Sequence, residues 1–240
     1  MEARQVDAKR GWQWIVNGFY LFLKTPLLWI LLCTTLLLIA ATLALIPMVG
    51  QFVFTLLSPV FLAGLMMGCR ALERGEKLEL AYLFAGFRKN PVSLITVGGI
   101  YLVGQVLILG VAMLLGGSVM MDLLIDGKRV DENELRGVMS SGLTAVMVAL
   151  ALSIPLMMAA WFAPLLVVFK DMPALAAMQL SFFACLKNII PLQLYTITLV
   201  VLAVIAAMPY GLGFFVLVPA LFASIYASYE DIFVDTVEPT

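Results

Sequence analysis

The chain has 240 residues, 63% of them hydrophobic and only 12% charged, with a net charge of −1 at pH 7. A soluble domain carries about 25% charged residues, so this apolar excess excludes a water-soluble packing and makes the bilayer the expected solvent. The balanced charge gives no field for nucleic acid, and the absence of histidine removes the commonest general base and metal ligand.

At the N-terminus the first apolar stretch is too long for a cleavable signal peptide, and no small-residue cleavage site follows it, so the chain is expected to keep residue 1. Ile15, Phe19 and Leu23, at four-residue spacing, share one face of a helix expected to lie on the membrane surface or to brace the bundle from below. Trp12 and Trp14 add aromatic anchoring at headgroup depth. Lys24-Thr25-Pro26 then forms an elbow: the Pro presets φ for the first turn of a span, and Thr25 is placed to cap it.

The same elbow recurs as Lys89-Asn90-Pro91 after Leu80, Phe84 and Arg88, and as Lys187-Asn188 with Pro191 after Met178, Phe182 and Leu186. Uncharged runs between the elbows, broken at Pro47 to Gln51 and at Met208 to Gly211, give six spans at 26–46, 51–71, 91–118, 142–169, 190–208 and 212–230. Pro155 and Pro164 should kink the fourth. The unit of surface helix, elbow, span, hairpin and Pro-bearing span occurs three times, at about 8–72, 78–170 and 174–233, within a single transmembrane domain spanning 1–240.

Eleven Lys and Arg residues fall on one side of these spans and three, Lys128, Arg129 and Arg136, on the other. By the positive-inside rule both termini are cytoplasmic and the charged loop 120–140 is periplasmic. That loop reads as a turn at Asp126-Gly127-Lys128 and a short helix over 131–139 capped by Asp131. The fold expected is therefore all-α: a polytopic membrane protein with six transmembrane helices as three repeats, each an amphipathic surface helix plus a two-span hairpin.

No ionisable residue lies in the middle of any span, which disfavours proton relays and ion-coupled pumps. Polar span residues such as Gln105, Tyr195 and Ser224 are expected to hydrogen-bond across helices, a polar ligand pocket being the alternative. Gly64 with Gly68, and the stripe Ala220, Ser224 and Ser228, permit close helix approach, more readily within the subunit than between copies. Cys33, Cys69 and Cys185 have no metal or redox spacing and read as buried or reduced thiols. No catalytic, cofactor or metal set is present. The candidate contacts for lipid headgroups or a partner are Lys24, Arg70, Arg74, Lys77, Arg88, Lys89 and Lys187. Glu230 and Asp231, disfavoured at a helix C-terminus, are expected to pair with Arg70, Arg74 or Lys170.

Trp12-Gln-Trp14, Gly18-Phe, Leu21-Phe22 and Pro26-Leu-Leu-Trp29 at the start, with Leu45-Ile-Pro47-Met-Val-Gly50, Ala63-Gly64-Leu65-Met66, Cys69-Arg70-Ala71-Leu72, Gly75-Glu76 and Leu83-Phe84-Ala85-Gly86-Phe87, resemble a family of uncharacterised proteobacterial six-span inner-membrane proteins. The likeness is strongest over the first hundred residues. More distantly the elbows are similar to other bacterial multispan families with repeated surface helices, including the membrane domains attached to some glycerophosphodiesterases. The resemblance implies a bacterial inner membrane and supplies no catalytic residues. The function read from the chain is a non-enzymatic inner-membrane subunit, assembly factor or scaffold for other membrane components, with membrane lipids and other inner-membrane proteins as the expected partners. The alternative is a protein that binds or transports membrane lipids or hydrophobic solutes.

Overall fold

A computed structural model describes residues 3–47, 49–117 and 132–234. All regular structure among the described residues is helical: α1 (Arg10–Lys24), α2 (Pro26–Ala44), α3 (Val49–Glu73), a 3-10 helix (Leu80–Phe87), α4 (Pro91–Ala112) running into a π-helical turn (Met113–Gly117), α5 (Glu132–Trp161), α6 (Ala163–Lys170), α7 (Ala174–Lys187), α8 (Ile189–Ala207) and α9 (Phe214–Phe233). Six stretches are long and apolar enough to cross a bilayer: Pro26–Ala44, Val49–Glu73, Pro91–Gly116, Gly142–Lys170, Ile189–Ala207 and Phe214–Phe233. They match the expected spans to within a few residues. The turn expected at 126–128 lies outside the described residues, and the short helix expected to 139 is the opening of the long α5.

The spans do not share burial equally. α3 and α9 are the interior spans, while α2, α4, α5 and α8 turn Leu27, Leu37, Leu107, Leu150, Ile197 and Val204 outward, each more than half exposed. Side chains of that kind on four helices are tolerable only where lipid is the solvent. Backbone contact draws the interior tight. A Cβ on Gly64 of α3 would stand 2.3 Å from the Tyr82 carbonyl oxygen, and one on Gly86 would stand 2.1 Å from the Val60 carbonyl oxygen. The 3-10 helix thus lies directly on α3, where Phe61 packs edge-on to Phe84 and Phe87. Gly64 is accordingly used within the subunit. Gly18 does the same for α1, since a Cβ there would meet the Ser224 nitrogen at 2.5 Å and the Ala220 oxygen at 2.6 Å on α9.

The surface helices prove to be braces with an apolar outer edge. α1 buries Gly11, Trp14, Ile15, Gly18 and Phe22 and leaves Trp12, Phe19, Tyr20 and Leu23 exposed. Trp14 is therefore no headgroup anchor: it is 1% exposed, and its indole N–H donates to Asp231 Oδ2 at 2.9 Å. The elbow residues also depart from expectation. Neither Thr25 nor Asn90 makes a side-chain capping bond. Asn90 adopts a left-handed φ of 51° and donates instead to Asp171 Oδ1 at 2.8 Å, tying the start of α4 to the end of α6.

The fourth span breaks at Phe162, two residues before Pro164, while Pro155 sits inside an unbroken α5. At the break the Ser181 hydroxyl from α7 enters the ladder. It accepts the Phe162 N–H at 3.0 Å and donates to the Met158 carbonyl at 2.7 Å, replacing the helical bond between those two groups. In lipid an unreplaced pair would cost several kcal/mol. Other polar groups in the spans mostly satisfy themselves. Gln105 donates to Tyr101 on its own helix at 3.1 Å, and Thr35, Thr196 and Thr198 donate to carbonyls one turn back. A hydroxyl one turn from its own carbonyl needs no neighbour, whereas the Tyr195 hydroxyl bonds across helices as expected, 2.7 Å from Ser224 Oγ.

Two outcomes follow from α7 packing on this break. Ser181→Ala leaves the Phe162 N–H unpaired and the Met158 carbonyl with only the weak 3.6 Å bond from the Cys185 thiol, so unfolding in mixed micelles should show a loss of about 1–3 kcal/mol; an unchanged midpoint would mean the bond is dispensable. Burial pushes the Cys185 thiol up to about 12, so its thiolate is scarce below that pH. In a Cys33→Ala, Cys69→Ala variant, iodoacetamide at pH 8 should leave the folded protein unlabelled and label it fully after denaturation. Labelling of the folded form within minutes would contradict the burial.

Candidate functional site

The end of the bundle where α3, α6 and α9 finish and α2, α4 and α8 begin gathers most of the chain's charge. Its organising group is Asp231, 5% exposed near the end of α9. Arg4 reaches Oδ1 at 2.9 Å, Arg10 bonds both oxygens through Nε and its terminal nitrogen, and Trp14 completes the set. The hydrogen bonds that Arg10 donates to Asp231 raise it above its ordinary range, so it stays charged. Residues 3–6 are threaded along this end: Arg4 N–H donates to Ile232 O at 2.9 Å, and Asn188 bonds the Arg4 carbonyl and the Val6 N–H, each at 2.9 Å. The expected partners of Asp231 are therefore wrong. Arg4 and Arg10 come within reach because the buried α1 lays the N-terminal segment across α9, a placement that helix periodicity does not reveal.

Glu230 is likewise not ion-paired with Arg70, Arg74 or Lys170. The Tyr226 hydroxyl, one turn back on α9, lies 2.6 Å from Glu230 Oε1 and 2.8 Å from Glu73 Oε2. The one hydroxyl proton is shared between two carboxylate acceptors. The two carboxyls and the phenol form a hydrogen-bonded unit between α3 and α9.

The proposed headgroup contacts divide into three groups. Lys24 and Lys187 are used internally: Lys24 Nζ donates to the Leu72 carbonyl at 3.1 Å, holding the last turn of α3, and Lys187 Nζ donates to the Ala3 carbonyl at 2.8 Å. Lys77 and Arg88 are exposed and line no recess described here. Arg70, Arg74 and Lys89 converge on one recess of about 180 Å³, with Glu76 and Tyr82. Arg70 and Arg74 also line a second recess of about 290 Å³ with Lys170, Tyr229 and the Glu73–Glu230 pair. Sequence reasoning placed Lys170 on this side but missed it as a site residue, together with Tyr226 and Tyr229. The four-residue spacing of Tyr226 and Glu230 was a readable signal; the convergence of α3, α6 and α9 was not.

Deeper in the bundle, α2, α3, α4, α5 and α9 line a partly open apolar cavity of about 380 Å³, walled by Leu36, Phe54, Phe61, Val97, Met157 and Phe222, with Thr55, Ser58, Tyr101 and Trp161 as its polar points. The buried Trp161 Nε1 has no hydrogen-bond partner. Trp161 also walls an outer groove of about 540 Å³ between α5 and α8, where Gln193 and Thr196 lie. The described residues contain no group of three or more Cys, Asp or Glu side chains disposed to hold a metal ion.

No protein-family model matches the chain, and no solved structure does. The chain is similar to a probable inner membrane protein of Burkholderia thailandensis, with 29% identity covering 97% of this chain and 94% of that protein. Six helices long and apolar enough to cross a membrane, on a chain similar to a probable inner membrane protein, make this a multi-pass membrane protein.

Proposed function

We propose that this is a non-enzymatic protein of the bacterial inner membrane that holds a lipid or another hydrophobic solute inside its bundle, with its basic end and both termini in the cytoplasm. The observation that carries the reading is the apolar cavity of about 380 Å³ with the unpartnered indole N–H of Trp161 in its wall. Its size falls in the range of about 300–1,000 Å³ typical of small-molecule sites, and its character, mostly apolar with a few polar points, is the usual one for such sites. A buried donor without an acceptor costs about 1–3 kcal/mol, and a bound ester or hydroxyl oxygen would relieve that cost. The cavity lies where helices from the three proposed repeats meet, so a modest shift of one against another would open or close it. Subunit, assembly-factor or scaffold roles rank second, because no particular contact surface argues for them.

Gentle purification followed by native mass spectrometry tests the reading. The wild-type protein should retain a hydrophobic ligand near one per chain. Trp161→Phe, which removes the N–H and keeps an aromatic wall, should reduce retention several-fold, and Ser58→Phe, which fills the cavity, should abolish it. Equal retention in all three proteins would contradict the proposal.

A further inference from the structure

A second site, distinct from the cavity and independent of it, lies at the basic end. We infer that the recess formed by Arg70 and Arg74 of α3, Lys170 at the end of α6 and Tyr229 of α9 binds a phosphate group.

Four observations converge. First, Arg70, Arg74, Lys170 and the adjoining Lys89 make no ion pair among the described residues, in contrast to Arg4 and Arg10 a short distance away. Second, Arg70 is held in place, its guanidinium 5.0 Å from the centroid of the Phe169 ring. A fixed guanidinium loses little freedom on forming a forked bond to phosphate. Third, Tyr229 is 2% exposed and lines the recess, yet its hydroxyl has no hydrogen-bond partner. An unsatisfied buried hydroxyl is a donor in wait of an acceptor. Fourth, the two carboxyls in the same recess, Glu73 and Glu230, are both engaged by the Tyr226 hydroxyl and face three cations there, Arg70, Arg74 and Lys170. The cations then outweigh the acids.

A plainer reading has Arg70, Arg74 and Lys170 merely complementing the dipoles of helices that end there. Such complementation is worth about 0.3–1 kcal/mol per charge. It explains each cation singly. It does not explain why cations from two helices face one recess together with an orphaned phenol from a third. A phosphate fits that set better than a carboxylate does, since its several oxygens can accept from two guanidiniums, an ammonium and a phenol at once. The group could belong to an anionic lipid headgroup at the membrane surface or to a soluble phosphate compound.

Native mass spectrometry of the full chain in detergent, titrated with phosphatidylglycerol or with phosphatidylcholine, tests the site, with inorganic phosphate as a competitor. Phosphatidylglycerol should be retained at least 10-fold better than phosphatidylcholine, and Arg70→Gln with Arg74→Gln should erase that preference. Tyr229→Phe should weaken it several-fold. Trp161→Phe should leave the preference intact, which separates this site from the cavity. Displacement of phosphatidylglycerol by millimolar inorganic phosphate, or a rise in Tm with phosphate alone in the wild type but not the double variant, supports the site and assigns it to soluble phosphates. Resistance to such displacement assigns it to lipid. Should the double variant fail to fold, Lys170→Gln and Tyr229→Phe carry the same comparison. Equal binding of the two lipids, or a preference unchanged by these substitutions, together with no effect of phosphate, overturns the proposal.

Discussion

One buried carboxylate, Asp231, closes the basic end of the bundle. It accepts from Arg4, Arg10 and Trp14 and is almost wholly shielded from solvent. Charge in such a place is costly unless it is paired and hydrogen-bonded, and the helix dipole at the end of α9 adds a further penalty. Three donors meet both demands, and each fixes a different length of chain. Arg4 holds the threaded N-terminal segment, Arg10 the first turn of α1, and Trp14 the buried face of α1. Through Gly18, α1 then lies backbone to backbone on α9. What rests on α9 through α1 is thereby set by a single group, including the Trp14 edge contact with Tyr195 of α8.

That lock divides the charged residues of this end into those spent on structure and those left over. Arg4, Arg10, Lys24 and Lys187 are bound to carboxylate or carbonyl oxygen. Arg70, Arg74, Lys89 and Lys170 are not paired with any acid among the described residues. A protein that needed cations only as topology signals would have no reason to separate them in this way, since any Lys or Arg on the correct side suffices for orientation. The Glu73–Tyr226–Glu230 unit sits between the two populations and joins α3 to α9. The cavity lies deeper along the same two interior helices, with Trp161 of α5 in its wall.

The spans were legible because a bilayer imposes one overriding demand, a stretch of about 20 apolar residues with its backbone bonded internally. Pro26 and Pro91 began their helices as read, and Gly64 proved to be an internal contact. What the sequence hid was partnership across long separations. Nothing near Asp231 points to Arg4, 227 positions away, and nothing near Pro164 shows that Ser181 will repair the broken ladder. Asn90 looked like a cap from its neighbours and proved to be a tether to Asp171, because its left-handed backbone turns the side chain away from the first turn of α4. The four-residue stripes of the surface helices were visible, but which edge faces lipid was not. Trp12 and Trp14 are two positions apart and point to opposite environments.

The lock at Asp231 is tested most directly by a double-mutant cycle on unfolding stability in mixed micelles, using Asp231→Asn and Arg10→Gln. Asp231 is buried while its arginine partners are partly exposed, so Asp231→Asn should destabilise by about 1.5–3 kcal/mol, the scale of hydrogen bonds to a charged group, and adding Arg10→Gln should cost little more. Full additivity of the two substitutions, or an Asp231→Asn variant as stable as the wild type, would show that the basic end is held by something else.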